Sequence, residues 1–344
     1  MALATPPATA TPASSASPPG TRKSGTGLPP VAWRALATAL LLVAACALPF
    51  AISNYLVFQL TLVIIYAIAL LGLNILAGFN GQISLGHGAF FAVGAYTAAI
   101  LLDKAGMPFW ATIPIAAAIC LVAGFLFGIP ALRLEGHYLA LATFSLAIVV
   151  PQLLKFRGLE HWTGGVQGLV IDRGDVPAGL PLNNDQWFYF VCLAIAVVMF
   201  VLGANLLRGR IGRAIVAIRD HPIAAASMGI DTARYKAMTF GISAMYTGIA
   251  GALSALLAQF VSPDSFSFFL SISLLVGAVV GGVASIWGAV FGAFFIVYVP
   301  NWADQLTKAA PWAIYGLVLL GFMYAMPQGL AGLMRLIGKR LARR

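Results

Sequence analysis

Residues 56–78 read LVFQLTLVIIYAIALLGLNILAG, twenty-three positions without one charged side chain. An α-helix rises about 1.5 Å per residue, so about 20 apolar residues cross the roughly 30 Å hydrocarbon core of a bilayer. A run of this length and apolarity reads as a membrane helix. Working outward from it, the same measure marks blocks near 35–52, 83–102, 109–130, 137–154, 187–207, 237–260, 266–283, 286–303 and 311–328. The expected fold is an all-α integral membrane protein of about ten transmembrane helices. Some of these would be broken or re-entrant where glycine interrupts the apolar run. Gly281-Gly282 and Gly288 mark such a place, and 266–303 reads as one long span, two short ones or a re-entrant pair.

Composition supports bilayer as the solvent. Of 344 residues, 61% are hydrophobic and 9% are charged, against about 25% charged in a soluble domain. The net charge of +10 is carried by basic residues that flank apolar blocks. They do not form a stripe with interleaved aromatics, so nucleic acid is not the expected partner; lipid headgroups are. With ten crossings both termini share one side. Fifteen of the twenty Lys and Arg residues then lie on that side, among them Arg208, Arg210, Arg213, Arg219, Arg234 and Lys236. The positive-inside bias makes it the cytoplasm.

Residues 1–30, rich in Pro, Ala, Ser, Thr and Gly, read as a disordered cytoplasmic tail that cannot offset its ordering entropy. A transmembrane domain over 31–334 and a basic cytoplasmic end at 335–344 follow. Val43-Ala44-Ala45-Cys46 has the look of a lipoprotein cleavage site, but the chain runs on into many more spans. Two extramembrane segments are long: an external loop, 155–186, and a cytoplasmic loop, 208–236.

Three stretches carry candidate function. In 208–236, Ile223-Ala224-Ala225-Ala226-Ser227-Met228-Gly229 is small, helical by propensity and closed by glycine, with Asp220 and Pro222 where a cap and first turn belong. Such a helix makes a compact knob for a cytoplasmic partner, with Arg213 and Arg219 as anchors; an ordinary solvated loop is the plainer reading. In 78–88, Gly78, Gly81, Gly86 and Gly88 interrupt an apolar region that also holds Asn80, Gln82, Ser84 and His87. Broken helix at membrane depth is tolerated when it lines a water-filled path or is buried in protein, so path lining and interhelical packing both stand. In the external loop, Thr163-Gly164-Gly165 begins a glycine-rich run.

Absences narrow the function. The chain has no GxxxxGK[ST], GxSxG or HExxH motif, so no catalytic residue is expected and the chain is not read as an enzyme. Cys46, Cys120 and Cys192 show no CxxC spacing, so no metal site is expected either. No charged side chain lies inside the spans, which disfavours an ion-driven carrier.

Gly212-Arg213-Ala214-Ile215-Val216-Ala217-Ile218-Arg219-Asp220, followed by Ala224 to Ile230, resembles the coupling loop of ABC-importer permeases of the branched-chain amino-acid type. Ile223 stands where the general importer pattern has Glu. Leu73 to Phe90, Thr163 to Leu169 and Gly277 to Gly292 resemble further parts of the same family, the external loop being of its M-type subunit; the likeness covers about 55–330. It implies a multi-pass permease subunit of a bacterial inner-membrane importer. A second, homologous permease, two cytoplasmic ABC ATPases and a periplasmic binding protein would be its partners. ATP would be hydrolysed by those partners, with no cofactor held by this chain. It assigns Arg213, Arg219, Asp220, Ala224, Ala225 and Gly229 to ATPase coupling, Asn80, Gln82, Ser84 and His87 to the translocation path, and Thr163, Gly164 and Gly165 to the binding protein. A stand-alone carrier or channel for a small solute is the competing reading.

Overall fold

The computed structural model describes residues 43–132, 134, 136–174, 181–306, 311–326, 329–332 and 334. The expected tail over 1–30, the start of the block at 35–52 and the basic end at 335–344 lie outside the described residues. The chain divides into two units, Met1–Leu48 and Pro49–Arg344. Of the first, residues 43–48 are described, and they are helical.

The second unit is a helical bundle. Its helices are α1 (Asn54–Leu73, continued as a π-helix over Asn74–Phe79), α2 (His87–Asp103), α3 (Phe109–Ala131), α4 (His137–Leu154) and α5 (Asn184–Arg208). They are followed by α6 (Arg210–Asp220), α7 (Pro222–Ser227), α8 (Thr232–Ala258), α9 (Phe268–Gly281), α10 (Ile286–Leu306) and α11 (Pro311–Ala325). Most of the described residues in the apolar blocks are helical, because an uncharged segment in hydrocarbon must satisfy its backbone groups internally. Among the described residues, six helices are long and apolar enough to cross a membrane; α2 and α9 are apolar but shorter. The expectation of about ten crossings is therefore met in its helical character, while the crossing number rests on charge and length alone.

Two boundaries differ from expectation, and two further features take their form only in the structure. The block at 83–102 becomes a helix only from His87, because 81–86 is irregular, with Gly81 in the left-handed region and a bend at Leu85. The block at 237–260 starts earlier, at Thr232, where the Asp231 carboxylate accepts from the Arg234 N–H and caps the helix. The 266–303 block is a helical hairpin, α9 against α10, in which glycines face glycines. A Cβ on Gly281 would strike the Gly288 carbonyl, and one on Gly292 the Gly277 carbonyl. Finally, the helical bundle carries one small antiparallel ladder, β1 (Leu169–Val170) with β2 (Phe260–Val261).

Helix α8 is the axis of the unit. Of its most apolar stretch 83% is buried, against 22% in α4 and in α5. Small residues make this burial possible. A Cβ on Gly94 of α2 would overlap the Gly248 carbonyl of α8, and one on Gly248 would overlap the Cys120 thiol of α3. In lipid there is little hydrophobic force between helices, so such backbone-to-backbone approach supplies the packing. Tyr246 adds a hydrogen bond to the Met199 carbonyl, 2.9 Å, tying α8 to α5.

The ends of α8 define two faces. At its C-terminal end lie β2, the β1 strand paired with it, and Asp264, which is bonded to Lys155. At its N-terminal end lie α6 and α7. Arg219 of α6 reaches Gly78 at the end of α1, and Asn74 reaches the α9–α10 turn. The two long loops read from the sequence thus sit at opposite ends of α8.

Candidate functional site

The break after α1 is tied by side-chain hydrogen bonds to several other helices. Asn74 is 1% exposed. Its amide nitrogen donates to the Ser285 carbonyl at 2.7 Å and the Gly282 carbonyl at 3.2 Å, and its oxygen accepts from the Ala284 N–H at 2.8 Å. One side chain therefore saturates the turn between α9 and α10. Gly78 lies against that same turn, where a Cβ would meet the Ala284 backbone at 2.5 Å. The π-helical turn over Asn74–Phe79 lies at this junction, and π-turns mark functional breaks in helices.

From Gly81 to Ser84 burial alternates, with Gly81 and Ile83 outward and Gln82 and Ser84 inward, as in extended chain. Gly81 has φ +75°, a conformation glycine adopts without penalty. His87 then opens α2. Its Nε2 lies 2.6 Å from the Ser243 hydroxyl and its Nδ1 2.9 Å from the Ser84 hydroxyl. Ser243 has one proton, and it donates that proton to the Gly72 carbonyl at 2.6 Å. Nε2 must then carry a proton and donate it to Ser243, and Nδ1 faces the Ser84 hydroxyl, so both nitrogens are engaged. Thr143 of α4 accepts from the Leu85 N–H at 3.0 Å, and Ser271 of α9 from the Gly88 N–H at 2.9 Å. The break is thus held by α1, α4, α8 and α9 together.

Of the four residues expected on a path, Ser84 and His87 spend their polar groups on this network. Gln82 is 9% exposed. Asn80 is 3% exposed, and neither its amide oxygen nor its nitrogen has a hydrogen-bond partner among the described residues.

The segment after α5 forms two helices where a single short one was expected. Helix α6 buries Gly212, Ala214, Ile215 and Ile218 and exposes Arg213 and Arg219. Asp220 is its last residue and does not cap α7 as expected. His221 holds the N-cap position, and the Asp220 carboxylate instead takes Arg219, with Nη2 at 2.9 Å and Nε at 3.0 Å. Pro222 starts α7 at its first turn, as read. The end of α7 is a Schellman motif: the Gly229 N–H bonds the Ala226 carbonyl at 3.0 Å and the Ile230 N–H the Ala225 carbonyl at 3.1 Å, with Gly229 at φ +82°. Ala225 is buried and Ala224 exposed. Ile223 and Met228 stand out at 85% and 84% exposure. Arg213 turns back to the Arg208 carbonyl at 3.3 Å.

At the opposite face, Thr163 is buried. Its hydroxyl donates to the Leu154 carbonyl at 2.8 Å, lies 3.1 Å from that of Leu159, and accepts from the Gly165 N–H at 3.2 Å. Gly164 and Gly165 turn the chain in the left-handed region, and Gly165 is buried. The exposed side chains of this loop include Phe156, Trp162, Val166, Gln167 and Val170. Arg173, which the sequence did not single out, closes the loop beneath them.

The sequence reading missed Asn74, Thr143, Ser243 and Ser271. Each is a polar side chain in an apolar helix, which signals an interhelical partner, but the partner's identity depends on which helices touch.

Comparison with known proteins identifies relatives of the chain. Residues 55–327 match the model of a family described as "Branched-chain amino acid transport system / permease component". The High-affinity branched-chain amino acid transport system permease protein LivM of Escherichia coli (strain K12) is 35% identical over 318 residues, covering 86% of this chain and 74% of that protein. LivH of the same strain, described in the same words, is 24% identical over 78% of this chain and 91% of that protein. The Autoinducer 2 import system permease protein LsrC of Salmonella paratyphi B (strain ATCC BAA-1250 / SPB7) is 28% identical over 49% of this chain and 50% of its own length. No solved structure matches.

Proposed function

This chain belongs to the branched-chain amino acid transport permease family and is a transport component rather than an enzyme; on that premise we propose how it works. It is the M-type membrane subunit of an ATP-binding-cassette importer in the bacterial inner membrane. It crosses that membrane about ten times, with both termini in the cytoplasm. A second, homologous permease completes the translocation path. Two cytoplasmic ATPases drive it, and a periplasmic binding protein delivers a branched-chain or related amino acid. ATP binds the ATPases, and this chain holds no cofactor.

The observation that carries the reading is the knob formed by α6 and α7. It presents Ile223 and Met228 to solvent at the basic face of the bundle, and within a few residues the chain enters α8, the most buried helix. Two large apolar side chains this exposed, on a helix fixed by a proline start and a Schellman end, make a hydrophobic contact for the groove of a partner. Ala224 and Gly229 let that groove approach closely, and Ala225 seats the knob on the bundle. A push on α7 reaches α8 directly, and α8 touches α1, α2 and α3. At the other face the binding protein meets Trp162, Val166 and Gln167, with Thr163, Gly164 and Gly165 shaping the turn that displays them. Along the path, Asn80 and Gln82 offer polar groups to the solute, while Ser84 and His87 fix the break that places them.

The test is co-purification of the chain with its ATPase subunits and uptake of tritiated leucine, isoleucine and valine into proteoliposomes containing the whole complex. Ile223→Asp combined with Met228→Asp should abolish ATPase co-purification and uptake while the chain still inserts in the membrane. Normal co-purification of that double variant would refute the docking assignment. Uptake by the chain alone, with no ATPase present, would refute the importer reading altogether.

A further inference from the structure

We infer that Arg219 is the positioning residue through which movement of the α6–α7 knob reaches the break in α1, by way of the Gly78 carbonyl. The inference rests on the docking reading above and adds a mechanical link to it.

The break is fixed at both margins. On one side Asn74 is tied to the α9–α10 turn by three hydrogen bonds. On the other, Ser84 and His87 are tied to α8 and the adjoining Leu85 to Thr143 of α4. Between those margins lies a stretch built to change shape. It contains the π-turn, Gly81 at φ +75° and the Asn80 amide, which is buried with neither polar atom hydrogen-bonded among the described residues, so no side-chain bond of Asn80 fixes the stretch.

Arg219 is the side chain of the α6–α7 knob that reaches into this interval. Its Nη1 donates to the Gly78 carbonyl at 3.1 Å. Its aliphatic stem lies on Gly81, where a Cβ would meet Arg219 Cγ at 2.9 Å. The Gly78 carbonyl belongs to the last turn of α1, where carbonyls lack helical partners and a cation is favoured. The guanidinium's acidic partner, Asp220, is the next residue and travels with it. When α6 shifts, its tie to α1 through Arg219 either drags the break or is released. The Asp220 pair offers no competing anchor on the bundle, because it joins Arg219 to its own helix.

The experiment uses the complete complex with its ATPases and binding protein in proteoliposomes, with tritiated leucine as probe. It measures ATPase co-purification, uptake and ATP hydrolysed per leucine moved. Arg219→Ala should keep co-purification within about twofold of wild type and keep hydrolysis. It should lower maximal uptake by about tenfold with the KM for leucine unchanged. Arg219→Lys, which restores one donor to the same carbonyl, should recover uptake to within about threefold of wild type. Three results would overturn the inference: normal uptake by Arg219→Ala, loss of ATPase co-purification by that variant, or a Lys variant no better than Ala. Loss of co-purification would make Arg219 a docking contact and leave the docking reading standing. That reading fails separately, through the Ile223 and Met228 double variant. If Arg219→Ala does not insert, the comparison of Arg219→Lys with Arg219→Gln decides, since Gln keeps a donor but not the charge.

Discussion

Arg173 and Arg219 do the same chemistry at opposite ends of the bundle, under opposite conditions. Each donates to a carbonyl in the last turns of a core helix, Leu256 of α8 for Arg173 and Gly78 of α1 for Arg219. Both therefore complement the negative end of a helix. The side chain of Arg173 is 8% exposed. It also reaches the Asn184 carbonyl at 3.2 Å and Asp185 at 3.3 Å, and its guanidinium lies 4.6 Å from the centre of the Phe188 ring. It joins three separate parts of the chain. The side chain of Arg219 is 34% exposed, and its carboxylate partner is its own neighbour. The 155–186 loop is clamped, whereas the 208–236 segment is held by a bond that can be exchanged with water. On the proposed function, the loop that receives a binding protein keeps its shape and the segment that transmits a stroke moves.

Substitutions at four positions test this contrast, and their expected costs to stability fall in order. Arg173→Ala should be the most damaging. It removes charge-assisted hydrogen bonds and a stacked aromatic contact from a nearly buried site, a loss of about 2–4 kcal/mol. Thermal unfolding of the detergent-solubilised chain would register it as a drop of several degrees. If the drop is no larger than that of Arg219→Ala, the clamp is not a clamp. Thr163→Val comes next. It leaves the Leu154 and Leu159 carbonyls and the Gly165 N–H without their hydroxyl, at about 1–2 kcal/mol. Susceptibility of the 160–174 loop to added protease is the direct measure, with faster cleavage expected.

On the coupling side, Gly229→Ala should cost about 1 kcal/mol, because a Cβ at φ +82° is strained even though nothing within 4 Å would touch it. Gly229→Asn should cost less, since Asn tolerates the left-handed region. The readout is ATPase co-purification, with Asn retaining more than Ala. The reverse order would mean that bulk against the partner matters more than the turn. Smallest in stability is Ile223→Asp, under about 0.5 kcal/mol at a position 85% exposed. Its effect should appear almost entirely in ATPase binding. A marked loss of thermal stability there would place Ile223 in the fold rather than at an interface.

The break in α1 was legible in part. Gly78, Gly81, Gly86 and Gly88 in an apolar run announced that a helix stops and restarts, and the polar residues between them announced that the stop matters. Ser84 and His87 are committed to packing bonds, whereas Asn80 has polar groups to spare. Sequence could not divide the four, because the division depends on Ser243, 156 residues beyond His87. Asp220 shows a different limit. An acidic residue two places before a proline looks like a cap. The chain instead continued α6 to that residue, because Ile215 and Ile218 bury against the bundle and carry the helix on.

What the sequence determined by itself is everything local that lipid enforces. Uncharged blocks of about 20 residues had to become helices, since hydrocarbon offers their backbone no other partner. Pro222 and Gly229 set the limits of the knob. What only the tertiary structure decided is which helix is central and which polar groups meet. Side chains such as Asn74, Ser243 and Arg219 find their partners across distances of more than a hundred residues, through contacts that exist only once α8 has drawn its neighbours close along its small-residue seams.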